Sequence, residues 1–167
     1  MIIDVFRAKE RILFEAFTQF SGPNGTSQQL LFPVTREFSA PDYALISSIE
    51  GELKAIGFAI EPFGTRTILI NGVPPEIGNR DPGEMLDLLI EQIHLGGEEL
   101  KLNPQQAVAA KLATLVAKSS PVPNTAQSIF AFIEQLFSCQ TAGYTPSGKT
   151  TVQILTLEEL NARFAKA

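Results

Sequence analysis

Apolar residues along the chain recur at helical spacing in some stretches and in short extended runs in others. Met1-Ile2-Ile3 is a brief apolar run, followed by an amphipathic stretch to about Phe20. There Val5, Ala8, Leu13, Ala16, Phe17 and Phe20 repeat so as to place one apolar stripe against a core. A turn-rich loop, residues 21–26, ends it. Leu30 to Phe38 reads as a strand, and Pro33 makes it an edge strand or a bulged one, since proline cannot donate to the ladder. Ser39 with Asp42 opens a helix through Leu45, Ile49, Leu53 and Ile56, and Gly57 stops it. Phe58–Pro62 and Thr67–Asn71 form a hairpin around residues 63–66.

Asp81-Pro82-Gly83-Glu84 begins a helix that runs to about His94 and stops at Gly96-Gly97. Asn103 caps a helix carrying Val108, Leu112, Leu115 and Val116. Asn124 caps another, whose buried side is expected to be Ile129, Phe130, Ile133, Leu136 and Phe137. A polar loop, a strand Thr151–Leu155 and a last helix opened by Thr156 and Glu159 complete the chain. Helices and short strands mix without regular βαβ alternation, which favours an α+β class over a doubly wound sheet.

At 167 residues the chain suits one domain, or two lobes around a shared core. Thirteen Lys and Arg against 18 Asp and Glu give a formal charge of −5, so the bulk field repels nucleic acid. The single cysteine, Cys139, cannot make an intramolecular disulfide or a thiolate cluster, as suits a reduced intracellular compartment. No signal peptide is visible, and no apolar run approaches the roughly 20 residues needed to span a bilayer. The abrupt opening on an apolar strand suggests a domain cut from a longer protein.

Gly143-Tyr144-Thr145-Pro146-Ser147-Gly148-Lys149-Thr150 satisfies the phosphate-loop pattern G-x-x-x-x-G-K-[ST]. That loop works only with a strand before it and a helix after it, whose N-terminus faces the phosphate. Here a helix precedes it and the β-rich Thr151–Leu155 follows, so nucleotide binding is not expected and no cofactor is implied.

Three segments in order carry a family resemblance. Ile3-Asp4-Val5-Phe6-Arg7-Ala8-Lys9-Glu10-Arg11-Ile12-Leu13-Phe14-Glu15 is similar to a D-Q-H-A-x-x-E-x-x-x-x-E helix. Gln28-Gln29-Leu30-Leu31-Phe32-Pro33 looks like Q-x-L-L-x-P, and Thr145-Pro146-Ser147-Gly148-Lys149-Thr150 resembles C-P-H-G-R-P-T. Between them, Gly57–Gly64 fits G-F-x-I-E-x-F-G and Val73-Pro74 fits a V-P stretch. Together these resemble the C-terminal dimerisation domain of the MutL mismatch-repair family, over nearly the whole chain. The resemblance implies a two-lobed α+β domain: a dimerisation subdomain of residues 1–29 and 105–167, with a regulatory subdomain, residues 30–104, inserted.

In nuclease-competent members of that family the first helix offers a His and a Glu four residues apart, and the loop adds a Cys and a second His. Such ligands suit a zinc-like ion beside a second metal that activates water. Mapped onto this chain, the helix His falls on Phe6, the loop Cys on Thr145 and the loop His on Ser147, while Asp4, Glu10 and Glu15 keep acidic types. A further family cysteine has no counterpart, and the closing F-x-R is matched by Phe164-Ala165-Lys166. Glu10 and Glu15 retain the chemistry for a weak magnesium or manganese ion. The plainer reading makes them a solvated helix face pairing with Lys9 and Arg11. Cys139 is expected to be a small core residue, and His94 an incidental helix-terminal cation.

The expected role is therefore a non-catalytic scaffold without a bound metal. The alternative is a residual metal-dependent DNA-nicking endonuclease using Asp4, Glu10 and Glu15. By resemblance, Gln28 to Pro33 docks on the replication sliding clamp: Gln28 hydrogen-bonds while Leu30 or Leu31 and Pro33 fill an apolar pocket. Alternatively Leu30 and Phe32, or Leu31 on the opposite face, are one strand's buried side. The resemblance also implies homodimerisation, with Met1-Ile2-Ile3, Val152–Leu155 and nearby helix faces as candidate surfaces. Other mismatch-repair proteins are expected partners, with ATP and DNA handled by an N-terminal module of the parent protein. The expected location is the cytoplasm, nucleoid-associated during repair, with no membrane partner.

Overall fold

The computed structural model describes residues 1–19, 26–96 and 103–165. Contacts divide the chain into two units, Met1–Ile12 with Ser120–Ala167, and Leu13–Ser119. The first helix, α1 (Val5–Gln19), contributes to both.

In the larger unit, burial alternates along β4 (Thr67–Val73), with Ile68 and Ile70 inside. This is the period-two pattern of a strand with one face on a core. β4 is the centre of an antiparallel sheet, flanked by β2 (Gln28–Glu37) and β3 (Ala59–Pro62). The β3–β4 hairpin closes as expected, Phe63 N–H donating to the Thr67 carbonyl at 2.8 Å. Helices α2 (Ala40–Ser48), α3 (Glu50–Ala55), α4 (Pro82–Leu95) and α5 (Pro104–Ser119) supply most of the rest of the core, joined by Phe17 of α1. Ile46, Leu53, Leu86, Leu89, Val108 and Leu112 are almost completely removed from water there.

The helix starts lie where short polar side chains can take orphan N–H groups. Ser39 accepts from Asp42 N–H, Asp81 from Glu84 N–H at 2.8 Å, and Asn103 from Gln106 N–H at 3.2 Å. The single helix expected from Ser39 to Ile56 is instead two. At Ile49 the N–H is shared between the Leu45 and Ile46 carbonyls, a tightened turn that sends Ile46, Ile49 and Leu53 all into the core. Gly57 ends α3 with φ of 103°, and a Cβ there would run into the Thr26 carbonyl.

The smaller unit pairs β1 (Ile2–Ile3) antiparallel with β5 (Val152–Gln153), Ile2 opposite Gln153. It also holds α6 (Ala126–Ser138) and α7 (Leu157–Phe164). Thr125, not Asn124, caps α6. Its side chain and that of Ser128 satisfy each other's backbone N–H groups, which Asn124, a position earlier, is out of phase to do. Thr156 and Glu159 make the expected reciprocal cap of α7. The strand expected over Thr151–Leu155 shrinks to two residues, because β1 offers only Ile2 and Ile3 to pair with. Of the loop expected over 21–26, only Thr26 lies among the described residues, and Gly97 and Lys166 lie outside them.

Candidate functional site

The family-like helix motif opens α1. Asp4 caps it, its carboxylate accepting Arg7 N–H at 3.1 Å and pairing with the Arg7 guanidinium at 3.3 Å. Arg7 also donates to the Thr150 carbonyl at 2.9 Å, and Asp4 N–H donates to the Thr151 carbonyl at 2.9 Å. Lys9 donates to the carbonyls of Ser120 and Pro121, at 2.9 and 2.6 Å, and burial pushes its ammonium below the usual lysine range. Arg11 is buried and gives its Nε–H to the Tyr144 carbonyl at 2.5 Å. The basic residues of this helix thus donate to backbone carbonyls of the smaller unit, and Arg7 and Arg11 fasten the first turns of α1 to the 143–151 loop.

That loop is closed on itself. Thr145 N–H donates to the Lys149 carbonyl at 2.8 Å, and Gly148 N–H to the Thr145 carbonyl at 3.0 Å. Lys149 N–H reaches Thr145 Oγ1 at 3.0 Å, and Thr151 N–H the Gly143 carbonyl at 2.9 Å. Gly148 takes the positive φ, 79°, that the reversal needs. A phosphate cradle requires its N–H groups to point at the ligand. Here those of Thr145, Gly148 and Lys149 are bound within the loop, α6 precedes it and β5 follows it. The letter-for-letter phosphate pattern lacks the helix that should follow it, and the Gly148 and Lys149 N–H groups are already taken.

The mapped metal positions can be placed one by one. Phe6 is exposed on α1, Thr145 is buried, and its hydroxyl lies 3.0 Å from Ser147 Oγ. An aromatic ring and two mutually bonded hydroxyls do not fit a tetrahedral site of nitrogen and sulfur donors. Among the described residues no group of three His, Cys, Asp or Glu side chains is placed to hold a metal ion. Glu10 is half-buried and Glu15 buried, the latter accepting from Gln19 Nε2 at 3.3 Å. The solvated acidic face expected for α1 is thus not what forms, because Arg11 and Glu15 share the inward side with Ala8. Cys139 is half-buried at the end of α6, its thiol directed to the Gln135 carbonyl at 3.4 Å.

The segment Gln28–Pro33 forms the start of edge strand β2, and its register with β4 breaks there. Gln29 faces Gly72 and Val34 faces Ile70, so Leu30, Leu31, Phe32 and Pro33 stand opposite Asn71 alone. Proline, which has no N–H to give, sits in this bulge. The consequence is a sorting of side chains: Leu30 packs on the core, while Leu31 is 87% and Phe32 79% exposed. Adjacent large apolar side chains at such exposure on a bulged edge are an unpartnered feature. Gln29 borders a shallow pocket of about 340 Å³ with Ser27, Lys54 and Phe58.

The smaller unit has the second such feature. On α6 only Leu136 is buried, while Phe130 is 66% exposed and Ile129 and Phe137 keep roughly half of their surface in water. Of the side expected to be buried, Leu136 is inside and Ile133 half-buried, whereas Ile129, Phe130 and Phe137 are exposed. Ile2 on β1, Ile154 beside β5, and Leu157 and Phe164 on α7 are exposed too. Among the described residues, Ala8 and Leu136 are the buried hydrophobics of this unit. So small an interior does not stabilise a unit of this size by itself.

Sequence reasoning missed one pairing in the larger unit. His94, which lacked an evident partner, places Nε2 2.8 Å from Asp42 Oδ1. The Ser39 hydroxyl and then His94 hold the Asp42 carboxyl below its ordinary value. Helix-start spacing signalled the Ser39–Asp42 contact, but nothing in sequence links residues 52 apart.

Comparison with known proteins points the same way as the motifs. A family model described as the MutL C terminal dimerisation domain matches residues 1–126. The chain is 31% identical over 166 residues to a DNA mismatch repair protein MutL of Flavobacterium psychrophilum, covering 99% of this chain and 27% of that protein. It is 34% identical over 164 residues to the MutL of Parabacteroides distasonis, covering 98% of this chain and 27% of the relative. The MutL of Methanothrix thermoacetophila is 30% identical, with 99% of this chain and 30% of that protein aligned. The chain therefore spans between a quarter and a third of the length of these relatives. With an α+β fold, the motif order and the match to most of its length in agreement, the chain belongs to the MutL C-terminal dimerisation domain family.

Proposed function

We propose that this chain is a non-catalytic homodimerisation and partner-docking domain of a MutL-type DNA mismatch-repair protein. The observation that carries the reading is the smaller unit's inverted distribution of apolar side chains. Ile129, Phe130 and Phe137 of α6 and Ile2, Ile154 and Leu157 near the two-stranded sheet face water, while its interior is slight. A second copy presenting the same patch removes this surface from water and gives the unit a core. The dimerisation subdomain in this reading is residues 1–29 with 105–167, and residues 30–104 are the regulatory insertion.

The second docking element is the bulge. Leu31 and Phe32 are held outward by the break in register, and Gln28 and Pro33 flank them, as suits a short motif that enters a groove on a replication sliding clamp. Leu30 packs on the core, so Leu31 rather than Leu30 is the leucine available to a clamp. Other mismatch-repair proteins are further partners. DNA and ATP belong to an N-terminal module of the parent protein, consistent with the −5 charge of this chain. The work is done in the cytoplasm, at the nucleoid during repair, and no helix among the described residues is long and apolar enough to cross a membrane.

The endonuclease alternative is disfavoured by the donor set. Asp4 caps a helix and binds Arg7, Thr145 and Ser147 bind each other, and Phe6 offers no ligand. The dimer face is tested by placing a benzophenone photo-cross-linker at Phe130 in the full-length parent protein. Irradiation is expected to give a covalent dimer, and the same group at Leu31 none. Cross-linking from neither position, or from Leu31 alone, contradicts the assignment.

A further inference from the structure

A groove of about 390 Å³ lies in the larger unit between the start of α2 and the outer side of α4. Its floor is apolar, made by Phe38 and Ile90, and Leu95 stands beside it 76% exposed. Its rim is acidic: Asp42 from α2 faces Asp87 and Glu91 from α4. Asp87 and Glu91 are one helical turn apart, and Glu84 is nearly a turn before Asp87, a like-charge succession that disfavours the free helix. Arg36 binds Asp87 and lies in the field of Asp81 and Glu84 as well, so one guanidinium is shared among several carboxylates. His94 bonds Asp42 at the other side. The result is a concave apolar surface ringed by surplus negative charge.

We propose that this groove docks a short cationic segment of a partner protein, with an apolar anchor next to its Lys or Arg. The anchor rests on Phe38, Ile90 and Leu95, and the cation lies over Glu91 and Asp87. Charge complementarity selects the occupant: the same rim repels phosphate-bearing polymers. The inference is independent of the dimer face and of the bulge, since it uses neither.

The test is a nitrogen-15 NMR titration of the whole chain with three synthetic nonapeptides, one alternating Arg and Phe, one Arg and Gly, one Glu and Phe. Saturable shifts are expected at Phe38, Asp42, Glu91 and Leu95 with the Arg/Phe peptide alone. Glu91→Lys and Leu95→Ser change exposed side chains, keep the circular dichroism of the parent, and each weaken that binding about tenfold or more. An equal response to the Arg/Gly peptide, shifts scattered over the surface, or indifference to Glu91→Lys would overturn the proposal. So would groove shifts produced by raising protein concentration alone, which would make a second copy the occupant.

Discussion

Replacing Leu31 and Phe32 together by serine separates folding from docking. In the free protein these side chains keep 87% and 79% of their surface in water, so little of their burial contributes to stability. Full burial of a Leu or Phe is worth about 1.5–3 kcal/mol, so the fraction already buried amounts to a few tenths of a kcal/mol each. Bound in an apolar groove, the pair would contribute about 3–6 kcal/mol, reduced by the cost of ordering the bulge. A net loss of about 3 kcal/mol corresponds to roughly a hundredfold weaker binding. Urea unfolding of the double variant should then match the parent within about 1 kcal/mol. Surface plasmon resonance against the replication sliding clamp of the same organism should show the affinity fall by about two orders of magnitude. An unchanged clamp affinity refutes the docking assignment. A stability loss above about 2 kcal/mol refutes the claim that the bulge leaves these side chains unpartnered.

Other expectations follow from single residues. Gly57→Ala places a Cβ against the Thr26 carbonyl at a φ of 103°, and should cost about 1–3 kcal/mol in chemical denaturation. Arg11→Ala removes a buried donor from the Tyr144 carbonyl, and should lower stability by about 1–3 kcal/mol and raise hydrogen exchange across residues 143–151. Asp42 has a folded-state carboxyl pKa below its ordinary 3.8, through Ser39 first and His94 second. Its ionised form therefore stabilises the fold above that value, and the contribution fades as pH falls through the lowered pKa. The stability gap between the parent and Asp42→Asn should be constant at mildly acidic pH and close below about pH 4. A gap that widens there has the wrong sign for this account.

Much of the architecture was legible because its signals are local. Ser39, Asp81, Asn103 and Thr156 announce helix starts through their own backbone neighbours, and Gly57 announces a stop. Pro33 announced an edge or a bulge, and β2 has both because the missing N–H coincides with the register break. What sequence could not supply was which side of an amphipathic element meets protein. The apolar stripe of α6 is read the same way whether it faces an interior or a partner, so Phe130 and Phe137 looked like core. Glu15 and Arg11 failed in the opposite direction: charge suggested solvent, and burial with hydrogen-bond partners is what forms. The His94–Asp42 pair needed tertiary structure, since it joins α4 to α2 across the larger unit.

The central claim is that the smaller unit completes its core with a second copy. Light scattering coupled to size-exclusion chromatography, on the parent chain and on Phe130→Glu over a hundredfold dilution series, tests it most directly. The parent should run at twice the mass of one 18.2 kDa chain, and Phe130→Glu, which puts a charge into the shared apolar patch, should run at the mass of one. A parent that stays at one chain mass at every concentration, or a Phe130→Glu variant that dimerises as well as the parent, contradicts it.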